Sequence, residues 1–280
     1  MTSKPVASKE YAMARHLEQL VVEKPWGRTD IPPEFGEFGS RRIGEIWFAP
    51  PSGAASSILV KFLFTSSRLS IQVHPDDAAA KAAGYPRGKE ECWLVLEAEP
   101  DAKLGVGLTR ESNREELEEA ALSGAIVDML DWREAKTGDF VYNRAGVIHA
   151  IGAGLTLIEV QQNVDCTYRL YDYGRPRPLH LEEGLAVAAM APHCDPRDTH
   201  VDMNASRELV HDGPFNLLYL AGTDYRPCLP ERQSEYSFVP LSAGCEIDGD
   251  AVTLGECVLT ESAAAISLAP SARALLAWPA

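Results

Sequence analysis

No cysteine pair of the form C-x-x-C occurs among Cys92, Cys166, Cys194, Cys228, Cys245 and Cys257. A zinc site built on cysteines is therefore not expected, and the six read as free thiols of a reducing compartment. No apolar run is long enough to span a bilayer. Residues 1–20 are polar and lack the apolar centre of a signal peptide, so a cytoplasmic location is expected. Basic residues are also in short supply: 26 Lys and Arg stand against 41 Asp and Glu, for a net charge of −15. Such a chain offers no basic surface for sequence-independent binding of nucleic acid. It can still hold a small anion if a few Lys and Arg gather locally. There is no low-complexity tract. The rest of the composition, 45% hydrophobic and 24% charged over 280 residues, is that of a globular protein with one large domain or two smaller ones.

The chain is organised around Leu69-Ser70-Ile71-Gln72-Val73-His74-Pro75. Read as a strand, it puts Ser70, Gln72 and His74 on one face and Ile71 and Val73 on the other. Pro75 cannot donate to a ladder and ends the strand. Around it lie many short strand-like runs: 43–48, 58–64, 91–97, 102–108, 140–143, 147–151, 155–161 and 168–172. Residues 1–20 read as a helical or disordered lead-in and 23–28 as a turn. Helical segments are expected at 76–83, at 112–122 with Ser112 as N-cap, and at 126–130. Residues 174–200, with Pro176, Pro178, Pro192 and Pro196 and a helix over 181–189, read as a bridge. Beyond it come short strands again, at 215–220, 236–240, 245–247, 257–259 and 265–268. The pattern is mainly β, a sandwich or barrel, and strand-rich halves on either side of the bridge suggest a duplicated one.

Two imidazoles and a carboxylate suit zinc or a similar divalent ion, and an amide oxygen can complete the set. Gln72 and His74 supply two ligands from one strand face. The stretch Gly138-Asp139-Phe140-Val141-Tyr142-Asn143-Arg144-Ala145-Gly146-Val147-Ile148-His149 returns a second histidine through a glycine turn. It matches the second cupin motif, G-x5-P-x-G-x2-H, with Arg144 in place of the proline, which would loosen the approach to His149. The carboxylate is Glu90 or Glu91; the residues alone leave both open. His16, His180, His193, His200 and His211 lie in no motif and read as ordinary surface or core residues. Trp26, Trp47 and Trp93 read as core or pocket-wall aromatics.

These stretches carry a resemblance. LSIQVHPDD (69–77), GKEECWLVLEAEP (88–100), GDFVYNRAGVIHAIGAG (138–154), IEVQQNVDCTYRLYDYGR (158–175) and LHLEE (179–183), with EKPWGR (23–28) and IGEIW (43–47), resemble the class I mannose-6-phosphate isomerases of the short bacterial, bicupin type. The likeness is close over residues 23–190 and looser elsewhere. It implies two cupin-type (jelly-roll) β-barrels with a few short helices and the metal site in the N-terminal barrel. Residues 1–180 would form the catalytic barrel, 181–200 a linker, and 201–280 a degenerate, metal-free second barrel. It implies one zinc ion per chain on Gln72, His74, Glu91 and His149, which selects Glu91 over Glu90. It implies interconversion of mannose 6-phosphate and fructose 6-phosphate through a metal-stabilised enediol(ate).

On that pattern Arg169, which closes Asp165-Cys166-Thr167-Tyr168-Arg169, serves the reacting oxygens or the phosphate. Lys89 and Ser70 bind substrate, with Lys89 also in the catalytic set, and Arg175 is a further phosphate candidate. Glu159, at the end of its strand, is the candidate base. No nucleic acid or membrane partner is expected, and the oligomeric state, a monomer included, stays open. Two other classes compete. An iron-dependent cupin oxygenase would show more histidines and no Gln72. A non-catalytic sugar-phosphate sensor would bind substrate without turning it over.

Overall fold

The computed structural model describes residues 14–49, 56–222, 224–231 and 234–280. Among these residues the protein is mainly β with four short α-helices, as the strand-like runs imply. Part of the expected lead-in, residues 1–13, lies outside the described residues.

Two sheets build the first half. Seven strands lie in the order Thr199–His200, Asp139–Asn143, Glu91–Ala98, Leu155–Gln162, Ile58–Thr65, Ile43–Ala49 and Glu18–Arg28. Five more lie in the order Tyr168–Tyr171, Ile71–Val73, His149–Ile151, Lys103–Leu108 and Leu130–Glu134. Every pairing is antiparallel. Leu63, Trp93, Val95, Val141, Leu155 and Leu157 from the first sheet pack against Leu104, Val106 and Ile151 of the second. This inter-sheet layer contains the site.

The other face of the seven-stranded sheet is covered too. Ile58, Val60, Phe62 and Phe64 point there, with Leu94, Phe140 and Tyr142. They pack on Phe215, Leu217, Tyr219 and Leu275 of a six-stranded sheet from the second half. All eight residues of Ile58–Thr65 are therefore buried, and the strand reads as a continuous apolar run rather than an alternating one. Leu218, Leu220 and Leu276, on the far side of the six-stranded sheet, meet Ile247, Val252 and Ile266 of a three-stranded sheet. The molecule is thus four layers of sheet. The helices Arg114–Ser123 and Leu181–Val187 close the outer face of the five-stranded sheet through Leu117 and Leu185.

Several local expectations change. Glu18–Arg28 is one strand, not a lead-in followed by a turn; its Val21-Val22 centre pairs with Ile46 and Glu45. Asn113, not Ser112, caps the helix Arg114–Ser123, because its Oδ1 accepts from Glu116 N at 2.9 Å. Ser112 Oγ bonds instead to the Glu116 carboxylate at 2.7 Å. Strands Leu130–Glu134, Arg207–Val210 and Arg273–Pro279 were not expected. The 174–200 stretch, read as a bridge, packs against the first half. Its helix Leu181–Val187 sets Leu185 in the same core as Leu170, and Thr199–His200 pairs with Phe140 and Asp139.

Candidate metal centre

Three segments bring the candidate ligands together, and the first is pinned to the other two. Asp77 Oδ1 accepts from Gly88 N at 2.8 Å, and Lys89 N donates to Pro75 O at 3.0 Å. A Cβ on Gly88 would come within 2.4 Å of the Asp76 backbone, so only glycine permits this approach. That contact delivers Lys89 and Glu91 beside His74. On the other side Gly146 N donates to His74 O at 2.8 Å from a turn in which Gly146 has φ +86°. His149 then enters its strand directly opposite Gln72.

Arg144 does not loosen this turn. Its Nε lies 2.5 Å from Asp195 Oδ2, and the buried Asp195 is also gripped by Arg197. The ion pair ties the turn to the chain at 195–197.

His74, Glu91 and His149 are all buried, and their ligand atoms lie within 4.8 Å of one another. His74 Nε2 is 3.4 Å from Glu91 Oε2, and His149 Nε2 is 3.3 Å from Glu91 Oε1. Each outer ring nitrogen faces a backbone carbonyl: His74 Nδ1 lies 3.0 Å from Cys166 O and His149 Nδ1 lies 2.9 Å from Val147 O. A proton on Nδ1 satisfies each carbonyl and leaves both Nε2 lone pairs aimed inward, the orientation of a metal-binding imidazole. Burial keeps both rings neutral, pushing His74 down to about 3, and His149 down as well. Burial alone would raise the Glu91 carboxyl, but Lys89 and then His74 hold it well below its ordinary value. Glu91 Oε1 has no hydrogen-bond donor although it is buried. A divalent ion would satisfy that oxygen and both imidazoles, so the donor set fits one.

Gln72 Nε2 lies 3.3 Å from His149 Nε2, and its Oε1 accepts from Ser70 Oγ at 3.1 Å. The amide reaches the cluster. Lys89 Nζ also reaches it, touching Glu91 Oε2 and lying 3.0 Å from His74 Nε2. Glu90 does not: its carboxylate bonds to the Tyr142 hydroxyl. His16, His180, His193, His200 and His211 lie outside the cluster.

Beside the cluster lies a pocket of about 140 Å³ lined by Ser70, Gln72, Lys89, Glu159, Arg169 and Arg177, together with Lys24, Glu45, Trp47 and Lys61. Trp26 and Trp47 line it, while Trp93 is a buried neighbour whose ring packs T-shaped with His149, centroids 5.5 Å apart. Glu159 sits in mid-strand, not at the strand end, in a row that runs Trp47, Lys61, Glu159, Trp93 across four strands. Lys61 Nζ lies 3.0 Å from Glu159 Oε1, touches Gln161 Oε1, and stands 4.6 Å above the Trp47 ring. Trp93 Nε1 donates to Glu159 Oε2 at 3.1 Å. Burial works against charge on Lys61, but Glu159 and Glu45 raise it above its ordinary value.

Arg169 lines the pocket and sits opposite Gln72 in the ladder. Arg175 is not brought there; its guanidinium bonds to Asp172 and to the Arg68 carbonyl. Arg177, two residues on, lines the pocket in its place.

No protein-family model matches the chain. It is 33% identical over 249 residues to a probable mannose-6-phosphate isomerase of Bacillus subtilis, spanning 75% of this chain and 76% of that one. The chain belongs to the mannose-6-phosphate isomerase family. A mannose-6-phosphate isomerase of Streptococcus mutans is 33% identical over 210 residues, 61% of this chain and 66% of its own length. In fold the chain is similar to the crystal structure of the mannose 6-phosphate isomerase from Bacillus subtilis, with a TM-score of 0.76 at 22% identity over 94% of this chain and 99% of that one. A zinc-bound mannose 6-phosphate isomerase matches with a TM-score of 0.70 at 15% identity, over 96% of this chain and all of that one. Among the described residues no helix is long and apolar enough to cross a membrane.

Of the residues in and beside the pocket, Lys61, Arg177 and its partner Asp172 escape a reading of the sequence. Lys61 lies inside an apolar strand, and only the register shows that it faces Glu159. Arg177 carries the same local signal as Arg175, an arginine beside a proline. Asn143, opposite Glu91 in the ladder, is likewise buried and has no partner for either amide atom.

Proposed function

We propose that this chain interconverts mannose 6-phosphate and fructose 6-phosphate as a class I, bicupin-type member of its family. The observation that carries the reading is a buried His74/Glu91/His149 cluster with an orphaned carboxylate oxygen, next to a pocket lined by five basic side chains. Gln72, His74, Glu91 and His149 would hold one zinc ion per chain. When bound, that ion supplies a Lewis acid for the oxyanion that develops as an aldose and a ketose exchange through an enediol(ate). One formal negative charge from the protein leaves such a site cationic, which suits an oxygen-rich, anionic substrate.

The remaining work falls to the chain's own residues. Glu159 lines the pocket with one donor on each oxygen and a lone pair to spare, and it moves the proton between C1 and C2. Lys61 and Trp93 fix its orientation. Arg169 binds the anionic end of the substrate, and Ser70 and Lys89 hold its hydroxyls against the cluster. Residues 1–180 act as the catalytic barrel and 181–200 as its link. Residues 201–280, which carry neither Q-x-H nor G-x5-P-x-G-x2-H, act as a metal-free second barrel.

Repeated conversion in D2O tests the proton transfer. Solvent deuterium at C1 of recovered fructose 6-phosphate is expected from an enediol(ate). Complete absence of label after many turnovers would require a hydride shift instead and remove Glu159 from its role.

A further inference from the structure

Five basic side chains line the pocket, and four have carboxylate partners: Lys24 with Glu45, Lys61 with Glu159, Lys89 with Glu91, and Arg177 with Asp172. Arg169 is the exception among the described residues. Its Nη1 donates to the Pro178 carbonyl at 2.8 Å, and its buried Nε has no acceptor.

The Arg177 pair differs in kind from the three lysine pairs. Asp172 accepts from Arg177 Nε and Nη2, both at 2.6 Å, so two parallel bonds fix the guanidinium plane. Nη1 is left with no hydrogen bond. Asp172 is buried and already serves Arg175 at 3.1 Å, so one carboxylate is shared between two guanidiniums. Arg169 adds a third positive charge nearby, and after burial the repulsion from Arg177 is the next cause that lowers its pKa. Asp165, exposed on the pocket wall, offsets only one of these charges. Two guanidiniums thus line one pocket close enough to repel each other, with free N–H groups on both and net positive charge between them. An anion with several acceptor oxygens satisfies both; a neutral hydroxyl does not.

We propose that Arg177, oriented by Asp172, is the second arm of a two-arginine clamp that grips the substrate's phosphate together with Arg169 and selects phosphorylated over free sugars. The identity of the sugar rests on the isomerase reading above, whereas the anion site stands without it.

The test compares the metal-loaded wild type with Arg177→Ala and Arg177→Lys. Inorganic phosphate is titrated by calorimetry, and kinetics are followed with mannose 6-phosphate and with free mannose. Losing a charge-assisted contact predicts that Arg177→Ala weakens phosphate binding and raises KM for mannose 6-phosphate about 10- to 100-fold. Turnover at saturation and activity on free mannose should stay within about threefold. Arg177→Lys keeps the charge without the fork and should fall between, which serves as the readout if Arg177→Ala fails to fold. Phosphate affinity and KM within about twofold of wild type in a folded variant would overturn the clamp. So would a fall in turnover with KM unchanged. Arg177-dependent phosphate binding without any isomerase activity would instead uphold the clamp and sink the isomerase reading.

Discussion

Replacing Glu159 by Gln probes the buried ion pair and the proposed base together. Lys61 and Glu159 are 7% and 5% exposed, and Nζ to Oε1 is 3.0 Å. Removing one partner of a buried pair leaves the other charge stranded and costs about 3–5 kcal/mol. Gln keeps the shape and still offers Lys61 an oxygen, which favours the lower end, about 3 kcal/mol. An unfolding entropy of about 2 cal/mol/K per residue over 280 residues gives ~0.6 kcal/mol/K. The melting temperature should therefore fall by about 5 °C, with the variant folded at 25 °C. Lys61→Met should lose at least as much, and Lys61→Met with Glu159→Leu should recover half or more, because no buried charge remains.

The pH dependence has a definite sign. Lys61 is held above its ordinary value, so its contribution is full below about pH 10 and is lost as pH rises through the higher folded value. The difference between wild type and Glu159→Gln should be flat across neutral pH and shrink in strong alkali. Thermal melts of metal-free protein in chelator give these numbers without interference from metal binding. A shift under about 1 °C in both single variants, or a pair variant no more stable than either, would refute the reasoning. The same Glu159→Gln protein, reloaded with metal, should turn over at least tenfold more slowly; near-normal turnover would place the base elsewhere.

Other outcomes follow from the same contacts. His74→Ala and His149→Ala should fold but retain no tightly bound metal, checked by elemental analysis after dialysis; wild-type zinc in either would remove that residue from the ligand set. Lys89→Ala should raise KM for mannose 6-phosphate with metal retained, and unchanged affinity would end its role in binding. Asp195→Asn should cost about 3 kcal/mol at neutral pH by removing a fully buried carboxylate from its pairs with the largely covered Arg197 and the half-exposed Arg144. Burial works to raise the Asp195 carboxyl, but Arg197 and then Arg144 hold it below its ordinary value. Its contribution is thus full above about pH 4 and lost as pH falls further, so the wild-type advantage should vanish in acid denaturation curves below that point.

The clustering of His74 and His149 beside Gln72 was legible because strand periodicity is local: Gln72 and His74 lie two residues apart, and a glycine turn returns His149; the residues alone left Glu90 and Glu91 open, and the resemblance pointed to Glu91, which opens its strand. The mainly β architecture was legible from many short β-branched runs with glycine and proline between them. The rest depends on register. Nothing near Lys61 in the sequence says that it faces Glu159, 98 residues away, or that Trp47 and Trp93 flank the pair. Glu159 looks terminal in the sequence because the polar Gln161-Gln162-Asn163 follows, yet the ladder continues to Gln162. Arg273–Pro279 ends in proline and starts in charge, and only its two neighbours show it to be a central strand. Arg144 shows the same limit in reverse: as a departure from a proline it implied a loose turn, while Asp195, 51 residues on, holds that turn.

One measurement bears most directly on the proposed activity. The purified protein is stripped of metal, reloaded with zinc in sub-stoichiometric steps, and given mannose 6-phosphate while fructose 6-phosphate is followed by a coupled assay. The account predicts no turnover without metal and activity that rises linearly to a plateau at one zinc per chain. Full turnover in the stripped protein, or one zinc bound with no turnover, would contradict it.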